Sequence, residues 1–479
     1  MQRREFCAAA TAALTVASVG LAATPPPRKV DAALLRKSFR GPVLAPGDEG
    51  YDQVRQVWNA SIDRKPALIA RCLDAEDVRT AVNFGRDQGL LIAVRCGGHS
   101  SAGKSVCDDG LMIDLSLMRA VRVEPARTAA IVEGGALLGD LDRATQVHGL
   151  ATTTGTVSHT GVGGLTLGGG MGHLGRKYGL TIDNLLSADV VTADGKLLHA
   201  SERENEDLFW GLRGGGGNLG VVTRFEFRVH PLGTRVAAAE LIYPWPLARN
   251  ALDFLAEQGP GLPDDATISP ALVRTPSDMR FLSVGMHHFG PPEAAEKLLA
   301  DMKAAVPPVN QPKLAVVPYL DFQTRFDEAA GRRVHGYLKS GFITSLSPAF
   351  IEAAMAAVED PATPALQPLI MVQMGGAISR VEPSATAFAH RDAAYAVLMD
   401  MRWDDAAESE ANVAWARKTW SLIEPAMRGG VYVNFTSGED AQQRIREAYG
   451  PNYARLLELK KKFDPENLFR LNANIDPKA

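Results

Sequence analysis

The chain contains, between residues 161 and 172, the run Gly161-Val162-Gly163-Gly164-Leu165-Thr166-Leu167-Gly168-Gly169-Gly170-Met171-Gly172. It lies within a glycine-rich segment, since 17 of the 45 glycines fall between Gly155 and Gly220. Backbone without Cβ atoms can pack against a flat ring or a diphosphate and direct its N–H groups inward. A flexible surface loop is the alternative, but such loops rarely interleave valine and leucine with glycine so regularly. The segment therefore predicts a backbone surface built for close approach.

Two parts of this segment match the GxGxxG pattern of dinucleotide-binding Rossmann folds, at residues 170–175 and 215–220. The pattern carries that meaning only where it follows a strand, opens a helix and precedes an acidic residue about 20 positions later. The first match is too rich in glycine to end a strand cleanly, and the second precedes a predicted strand. We therefore interpret neither as a Rossmann site.

Length and composition indicate an ordinary soluble globular protein. The 479 residues suggest two or three domains, and 51 Lys and Arg against 55 Asp and Glu leave a formal net charge of -4. The absence of a basic run argues against a nucleic-acid partner. Four cysteines are too few for a disulfide framework, and Cys72, Cys96 and Cys107 lack the spacing of a zinc site, so we expect no metal.

The first 27 residues predict an export signal. Arg3 and Arg4 precede an uncharged, alanine-rich run from residue 8 to residue 23, which three prolines follow. The paired arginines resemble a twin-arginine signal, the route of proteins already folded around a cofactor. A transmembrane anchor is the alternative, but the run is short and rich in alanine instead of leucine. We expect cleavage near residue 24, a periplasmic or secreted protein, and no stable membrane insertion after cleavage.

Hydrophobic periodicity predicts an α+β fold after the signal. Strand patterns at 66–71, 90–95, 111–115, 128–133 and 220–227 accompany helical patterns at 75–89 and 137–149. A boundary is expected at His230–Gly233. Residues 234–430 contain fewer glycines and alternating segments at 281–286 and 369–374, which predict an antiparallel sheet covered by helices. The tail from 431 to 479 predicts a strand at 431–435 and a helix at 451–463.

The motif Arg95-Cys96-Gly97-Gly98-His99-Ser100, followed by Gly103 and Ser105, resembles covalent flavoproteins of the vanillyl-alcohol oxidase and p-cresol methylhydroxylase (PCMH) superfamily. Further motifs narrow the resemblance to its berberine-bridge-enzyme-like branch. They lie at 161–172, 176–180, 207–220, 449–453 and 469–475. The resemblance covers nearly everything from about residue 50 to residue 479, with its motifs in the order that the branch shows.

This resemblance implies a PCMH-type FAD-binding domain in two parts, 28–233 and 431–479, with a substrate domain inserted at 234–430. The loop from Arg95 to Ser105 would wrap the FAD diphosphate through backbone N–H groups. The cofactor contacts that the resemblance implies are Arg95, Cys96, Gly97, Gly98, His99, Ser100, Gly103, Ser105, Thr160, Gly161, Gly164, Gly169, Gly170, Val222 and Asn472.

The resemblance also implies that His99 is bonded through a ring nitrogen to the 8α-methyl carbon of the flavin. Imidazole is a nucleophile toward this electron-poor carbon, and the link makes the flavin a better hydride acceptor. A solvated turn histidine is the alternative. Many relatives add a second link from a cysteine at the position of Val157, so we expect one covalent bond. Thr160 replaces the valine or leucine that relatives often have near the oxygen-reactive edge of the flavin, which leaves open how fast O₂ reacts.

The implied chemistry is removal of a proton from a substrate, coupled to hydride transfer to flavin N5. It requires a base with a suitable pKa. Tyr432 matches the tyrosine that relatives bring over the flavin and is the first choice, although a phenol with a pKa near 10 needs a cationic or hydrogen-bonding neighbour. Gln373 is expected on a strand that faces the substrate, where its amide can position a hydroxyl; an ordinary sheet glutamine is the alternative. His159 and His173 could approach the ring or be loop residues.

The sequence thus predicts an exported FAD-dependent oxidase that removes a hydride from a C–OH or C–N centre of a small or medium organic substrate. O₂ is the expected final acceptor. A dehydrogenase that uses another electron acceptor is the alternative, followed by a flavin-binding protein without turnover. Neither the substrate nor the oligomeric state follows from the sequence.

Overall fold

The computed structural model describes residues 30–275, 277–360, 368–438 and 442–479. The export signal expected at residues 1–27 lies outside this range. Within the described residues, no helix combines the length and the apolar character that crossing a bilayer requires. The same residues include no group of three or more His, Cys, Asp and Glu side chains arranged to hold a metal ion.

A four-stranded sheet forms the N-terminal part of the fold. Its strand order is β1-β2-β4-β3, with β2, β4 and β3 parallel and β1 antiparallel. Strands β2 and β4 each begin with three buried apolar residues, which face both sides of the sheet as in most parallel strands, and end in Arg71 and Asp114. Helix α3 begins where the Asp74 carboxylate accepts hydrogen bonds from two N–H groups of its first turn. The elements are α1 (Ala32–Arg36), β1 (Val43–Leu44), α2 (Tyr51–Val54), β2 (Leu68–Arg71), α3 (Ala75–Asp87), β3 (Ile92–Arg95) and β4 (Leu111–Asp114).

A five-stranded antiparallel sheet, ordered β5-β6-β10-β8-β9, follows in the chain. The glycine-rich segment lies between its helix α4 and its strand β10. The GxGxxG match at 215–220 runs directly into β10, so it opens a strand and not a helix. The elements are β5 (Val121–Glu124), β6 (Ala129–Glu133), α4 (Leu138–Gln146), β7 (Leu150–Ala151), α5 (Val162–Leu167), α6 (Gly175–Tyr178), β8 (Leu185–Val191), β9 (Leu197–Ser201), α7 (Glu206–Leu212), β10 (Val221–Arg228) and β11 (His230–Pro231), which pairs with β7.

A seven-stranded antiparallel sheet, ordered β15-β12-β14-β13-β17-β18-β16, forms the middle of the chain. Helices α8, α9, α12 and α13 cover one of its faces with a large apolar core, as the α+β prediction expects. The strands are β12 (Arg235–Pro244), β13 (Ala266–Arg274), β14 (Arg280–His288), β15 (Ala315–Pro318), β16 (His335–Ile343), β17 (Leu369–Gln373) and β18 (Tyr395–Trp403). The helices are α8 (Trp245–Gln258), α9 (Pro292–Ala305), α10 (Tyr319–Thr324), α11 (Asp327–Gly331), α12 (Pro348–Glu359) and α13 (Ser409–Ile423).

The C-terminal tail returns to the five-stranded sheet through α14 (Gln442–Tyr449) and α15 (Tyr453–Phe463). Its side chains Tyr449, Leu456 and Ile475 are buried in the same core as β6, β8 and β10. The ammonium group of Lys460, fully buried, donates to the Asp464 carboxylate at 2.7 Å and to the Asn218 carbonyl at 3.1 Å. The tail is therefore anchored on the glycine-rich segment.

A segment from the middle of the chain also packs against the N-terminal half. The buried guanidinium of Arg391 makes two hydrogen bonds to the Asp183 carboxylate, at 2.7 and 2.8 Å. The Trp210 indole N–H donates to the Ser384 carbonyl at 2.8 Å. The segment around residues 384–391 therefore packs against the N-terminal half, although the sequence pattern placed it wholly within the inserted part.

Candidate active site

The loop from Arg95 to Ser105 begins where β3 ends. Its backbone turns at Gly98 and Gly103, with φ angles of 69° and 66° that L side chains rarely adopt. The Trp58 N–H donates to the Gly98 carbonyl at 3.0 Å, and the Arg64 guanidinium donates to the Gly103 carbonyl at 2.9 Å. Both turns of the loop are thus fixed from outside.

This loop touches the glycine-rich segment directly. A Cβ atom on Gly97 would lie 2.4 Å from the Gly161 nitrogen, and a Cβ on Gly161 would lie 2.4 Å from the Cys96 sulfur. Both positions therefore require glycine. Burial raises the pKa of the Cys96 thiol to about 11, so this sulfur stays protonated and serves as packing in the contact.

The His99 ring lies between two other rings. Its centroid is 5.5 Å from that of Trp58, in a stacked arrangement, and 4.6 Å from that of His159. Its Nε2 atom is 2.6 Å from Nδ1 of His159. Burial, then the neighbouring His159 and Arg402, lower the pKa of His99 to about 3. The imidazole is therefore neutral at physiological pH, the state in which it can act as a nucleophile.

The next part of the glycine-rich segment leads toward Tyr432. Thr160 is held by the N–H of Leu138, which donates to its carbonyl at 2.9 Å. Gly169 and Gly170 have φ angles of 129° and 81°, and a Cβ on Gly170 would lie 2.1 Å from the Thr181 hydroxyl. Only glycine fits this turn, and the turn aims the Gly170 N–H at the phenol of Tyr432.

Tyr432 is buried, and two donors face its oxygen. The Gly170 N–H donates to it at 2.8 Å and the Asn434 amide donates at 2.9 Å. Burial nevertheless raises the pKa of Tyr432 to about 12, while these two hydrogen bonds act in the lowering direction. The sequence indicated that this phenol needs a cationic or hydrogen-bonding neighbour, and the structure provides hydrogen-bond donors.

The segment that carries Tyr432 is a turn, so the strand predicted at 431–435 is wrong. The Tyr432 N–H donates to the Ser340 hydroxyl at 3.2 Å, and that hydroxyl donates to the Phe435 carbonyl at 2.8 Å. The Phe435 N–H closes the turn on the Tyr432 carbonyl. The Ser340 side chain of β16 thus makes the hydrogen bonds that a neighbouring strand would make. The local alternation of residues does not reveal this contact.

Gln373 does not occupy the position expected for a substrate contact. Its carbonyl accepts from the Ile268 N–H at 2.8 Å, and its amide donates to the Gly259 carbonyl, at the end of α8, at 3.2 Å. Side chains alternate along a strand, so Gln373 shares the helix-covered face with Leu369 and Met371. Its role here is structural, because both halves of the amide bind backbone on that face.

The opposite, open face of the sheet lies on the Tyr432 side. Ile370 and Val372 project there, both half-buried, and pack in one apolar cluster with Met171, Phe435 and Tyr432. The Tyr432 phenol is the titratable group of this apolar cluster, and the Phe435 ring meets its ring edge to face at 4.8 Å. An ionisable group therefore stands in an apolar setting, the usual environment of a residue with a perturbed pKa.

The His173 ring lies in a separate cluster. Its Nε2 is 3.2 Å from the Arg325 guanidinium, and its ring meets that of His287 edge to face at 5.2 Å. Burial holds the pKa of His173 well below its usual range. His173 thus belongs to the packing between the glycine-rich segment and the seven-stranded sheet. His159 is the histidine that lies against His99.

Two family models match the chain. Residues 66–201 match the FAD binding domain family, and residues 431–476 match the berberine and berberine-like family. The (R)-6-hydroxynicotine oxidase of Paenarthrobacter nicotinovorans is 32% identical over 464 residues, which cover 92% of this chain and 98% of the relative. This chain belongs to the berberine-bridge-enzyme-like family of FAD-linked oxidoreductases. It is an FAD-dependent oxidoreductase.

Solved structures of this family share the fold. The crystal structure of 6-hydroxy-D-nicotine oxidase from Arthrobacter nicotinovorans has a TM-score of 0.84 and 31% identity, and the match covers 92% of this oxidoreductase and 98% of that chain. A glucooligosaccharide oxidase from Acremonium strictum has a TM-score of 0.84 and 25% identity, with 93% and 98% of the two chains covered. That enzyme has a 6-S-cysteinyl, 8α-N1-histidyl FAD. These neighbours confirm the α+β, PCMH-type fold that the sequence predicted.

Two observations indicate that the residues of this oxidoreductase can hold an FAD molecule. Several polar atoms are buried and lack a hydrogen-bond partner within the described chain, which a bound cofactor would supply. They are Arg95 Nε, Ser105 Oγ, Thr166 Oγ1, Asn472 Oδ1 and Asn474 Oδ1. A Cβ on Gly164 or Gly217 would meet no atom within 4 Å, so open space adjoins bare backbone there.

Ser100 and Val222 complete the predicted cofactor set. The Ser100 carbonyl accepts the Gly103 N–H at 2.9 Å, which closes the loop from Arg95 to Ser105, named the attachment loop after His99. The Val222 side chain is buried in the core of the five-stranded sheet, and its carbonyl is 2.3 Å from the place of a Cβ on Gly134. The Val222 side chain is therefore part of that core, and its backbone adjoins Gly134.

Three residues of the site were not singled out from the sequence. Asn434 donates to Tyr432, Trp58 stacks on His99, and Asn218 bonds the Ala473 carbonyl at 3.0 Å. Asn218 lies inside the motif at 207–220 and Asn434 inside the stretch predicted as a strand at 431–435, so their position in the sequence was the available signal. No sequence signal pointed to Trp58, because its ring reaches His99 only through the tertiary fold.

Proposed function

We propose that this oxidoreductase is an oxidase that removes a hydride from a C–OH or C–N carbon of a small or medium organic substrate, with Tyr432 as the base. The observation that carries this proposal is the buried phenol that accepts two N–H hydrogen bonds inside an apolar cluster. The 6-hydroxynicotine and oligosaccharide oxidases among its relatives support the two substrate classes, amine and alcohol.

The FAD of this enzyme would lie along the attachment loop and the glycine-rich segment. Its flavin supplies an acceptor for a hydride at N5. The unpartnered atoms of Arg95, Ser105 and Asn472 would take its polar groups, and Gly164 and Gly217 leave room beside the backbone. We place the single covalent link at His99, because its neutral imidazole lies in that loop and Val157 offers no thiol for a second link.

Tyr432 would hold the substrate O–H or N–H and take its proton. Both polar neighbours of the phenol are donors, so they stabilise the ionised oxygen more than the neutral one. With a pKa of about 12, ionising the phenol at pH 7 costs about 7 kcal/mol, at 1.36 kcal/mol per pH unit. The rate of flavin reduction should therefore rise with pH, since the ionised fraction grows tenfold per unit below the pKa.

To test this function, the enzyme is mixed anaerobically with panels of hydroxylated N-heterocycles and oligosaccharides. The absorbance of the flavin is then followed over time. A substrate should bleach the flavin, and Tyr432→Phe should slow the bleaching by about 10²–10⁴-fold, the usual contribution of a general base. Equal rates for the two proteins would remove Tyr432 from the role of base.

O₂ is the proposed electron acceptor, and Thr160 is the position that bears on it. Reduced enzyme in aerated buffer should regain its absorbance within seconds. A reduced flavin that persists for many minutes would favour a dehydrogenase that uses another acceptor. Replacement of Thr160 by valine or leucine would then show whether this position sets the rate.

We further propose that residues 1–27 direct export by the twin-arginine route to the periplasm or beyond. The same proposal divides the mature enzyme into an FAD-binding part at 28–233 and 431–479 and a substrate part at 234–430. Arg3→Lys together with Arg4→Lys should leave the flavoprotein in the cytoplasm of a bacterial host. Unchanged export of that variant would contradict the signal.

A further inference from the structure

The contact between His99 and His159 has a consequence for how the flavin becomes attached. We propose that His159 is the base that activates His99 for covalent attachment of the flavin. This inference rests on the His99 link proposed above. It adds a function for His159 that precedes substrate turnover.

The first support is the arrangement of the ring nitrogens. Nε2 of His99 faces Nδ1 of His159 at 2.6 Å, so one of the two rings donates a hydrogen bond to the other. Nδ1 of His99 has no hydrogen-bond partner within the described part of the chain. When Nε2 carries the proton and donates it to His159, the lone pair at Nδ1 is free to attack the 8α-methyl carbon.

The second support is the rigid placement of His159. The Ser158 N–H and hydroxyl both donate to the Asp327 carboxylate at the start of α11, the N–H at 2.8 Å. The Ser158 carbonyl accepts the Gly139 N–H at 2.8 Å. A Cβ on Gly331 would come within 3.4 Å of the His159 ring. The ring is therefore positioned by α4 and α11 together.

The third support is the electrostatic setting of His99. Its burial strongly disfavours a positive charge, as the low pKa of the ring shows. Attack by Nδ1 with the Nε2 proton retained would create a cationic, alkylated imidazole at this place. A base that takes the Nε2 proton as the C–N bond forms leaves the alkylated His99 neutral and carries the charge itself. His159 is the basic group in hydrogen-bond contact with Nε2 within the described residues.

Covalent attachment oxidises the flavin methyl group by two electrons. One C–H bond of the methyl group and the N–H bond of His99 break, and one C–N bond forms. The imidazole proton leaves through His159 and the methyl proton leaves to solvent. The two electrons pass to the flavin ring system and then to O₂, which departs with two protons as hydrogen peroxide.

The experiment follows attachment itself and needs no substrate. Apoprotein of wild type and of His159→Ala is mixed with FAD in aerated buffer. Samples taken over time are denatured, and flavin that stays with the protein is measured by fluorescence of the gel band and by mass. We expect His159→Ala to bind FAD reversibly and to attach it at least about tenfold more slowly, because general-base assistance usually contributes 10²–10⁴-fold.

Added imidazole provides the readout that a merely structural role would not change. It should enter the space left by the ring in His159→Ala and restore the attachment rate. His287→Asn, which alters a buried histidine in the separate cluster with Arg325, is the matched control and should attach FAD like wild type. His159→Asn replaces His159→Ala if the latter does not fold.

Attachment in His159→Ala at the wild-type rate would overturn the proposal. Slow attachment that imidazole does not restore would also overturn it, because the ring would then act only as packing. Release of all flavin from denatured wild type would overturn the His99 link as well, and this result is distinct from the other two.

Discussion

The pair Tyr432 and Asn434 offers the sharpest perturbation of the proposed chemistry. Replacing Asn434 by alanine removes one of two donors to the phenol oxygen, at 2.9 Å. A hydrogen bond to a charged acceptor contributes about 1.5–3 kcal/mol and one to a neutral acceptor about 0.5–1.5 kcal/mol. The difference of about 1–1.5 kcal/mol corresponds to about one pKa unit. The pKa of Tyr432 should rise by that amount.

The assay is anaerobic flavin reduction as a function of pH, measured by stopped flow. In Asn434→Ala the curve should shift by about one unit toward alkaline pH, and the rate at pH 8 should fall about tenfold. Asn434 also donates to the Leu165 carbonyl at 3.0 Å, so a purely structural effect needs a control. In a Tyr432→Phe background the same replacement should produce no pH shift. Superimposable pH curves for wild type and Asn434→Ala would refute the reasoning.

Three further predictions concern stability and cofactor binding. Burial raises the pKa of Asp142 from 3.8 to about 7, so its stabilising effect is complete below pH 4 and is lost as the pH rises from there through 7; the melting temperature of Asp142→Asn should therefore rise relative to that of wild type between pH 4 and pH 8, and an equal difference between the two proteins at both pH values would contradict this. Lys460→Met should cost about 3–5 kcal/mol in denaturant unfolding because it leaves the buried Asp464 carboxylate without its cation, and Asp464→Asn added to it should recover part of the loss. Gly161→Ala should abolish flavin binding, because its Cβ would lie 2.4 Å from the Gly97 nitrogen; a fully yellow variant would show that the two segments can separate.

The sequence predicted much of the fold because the relevant signals are local. Apolar runs and their caps placed the strands and helices within a few residues, as in α3, where residues 75–89 were predicted and Ala75–Asp87 is helical. The attachment loop and the glycine-rich segment were also predictable, since a close backbone contact such as Gly97 against Gly161 tolerates no side chain. Glycine requirements of this kind are visible in the sequence itself.

What the sequence did not reveal depends on tertiary pairing. Alternation along β17 showed that Gln373 shares a face with Leu369 and Met371, but not that helices cover that face. The turn at Tyr432 depends on the Ser340 hydroxyl of a distant strand. The contact between His99 and His159 joins residues 60 positions apart. Such relations arise when the chain folds and leave no periodic pattern.

Mass analysis of the denatured, protease-digested enzyme tests the central claim most directly. The account predicts one flavin adduct, on the peptide that contains His99, and a His99→Ala variant that loses all its colour on denaturation. An adduct on any other residue, or a wild-type digest in which every flavin molecule is free, would contradict it.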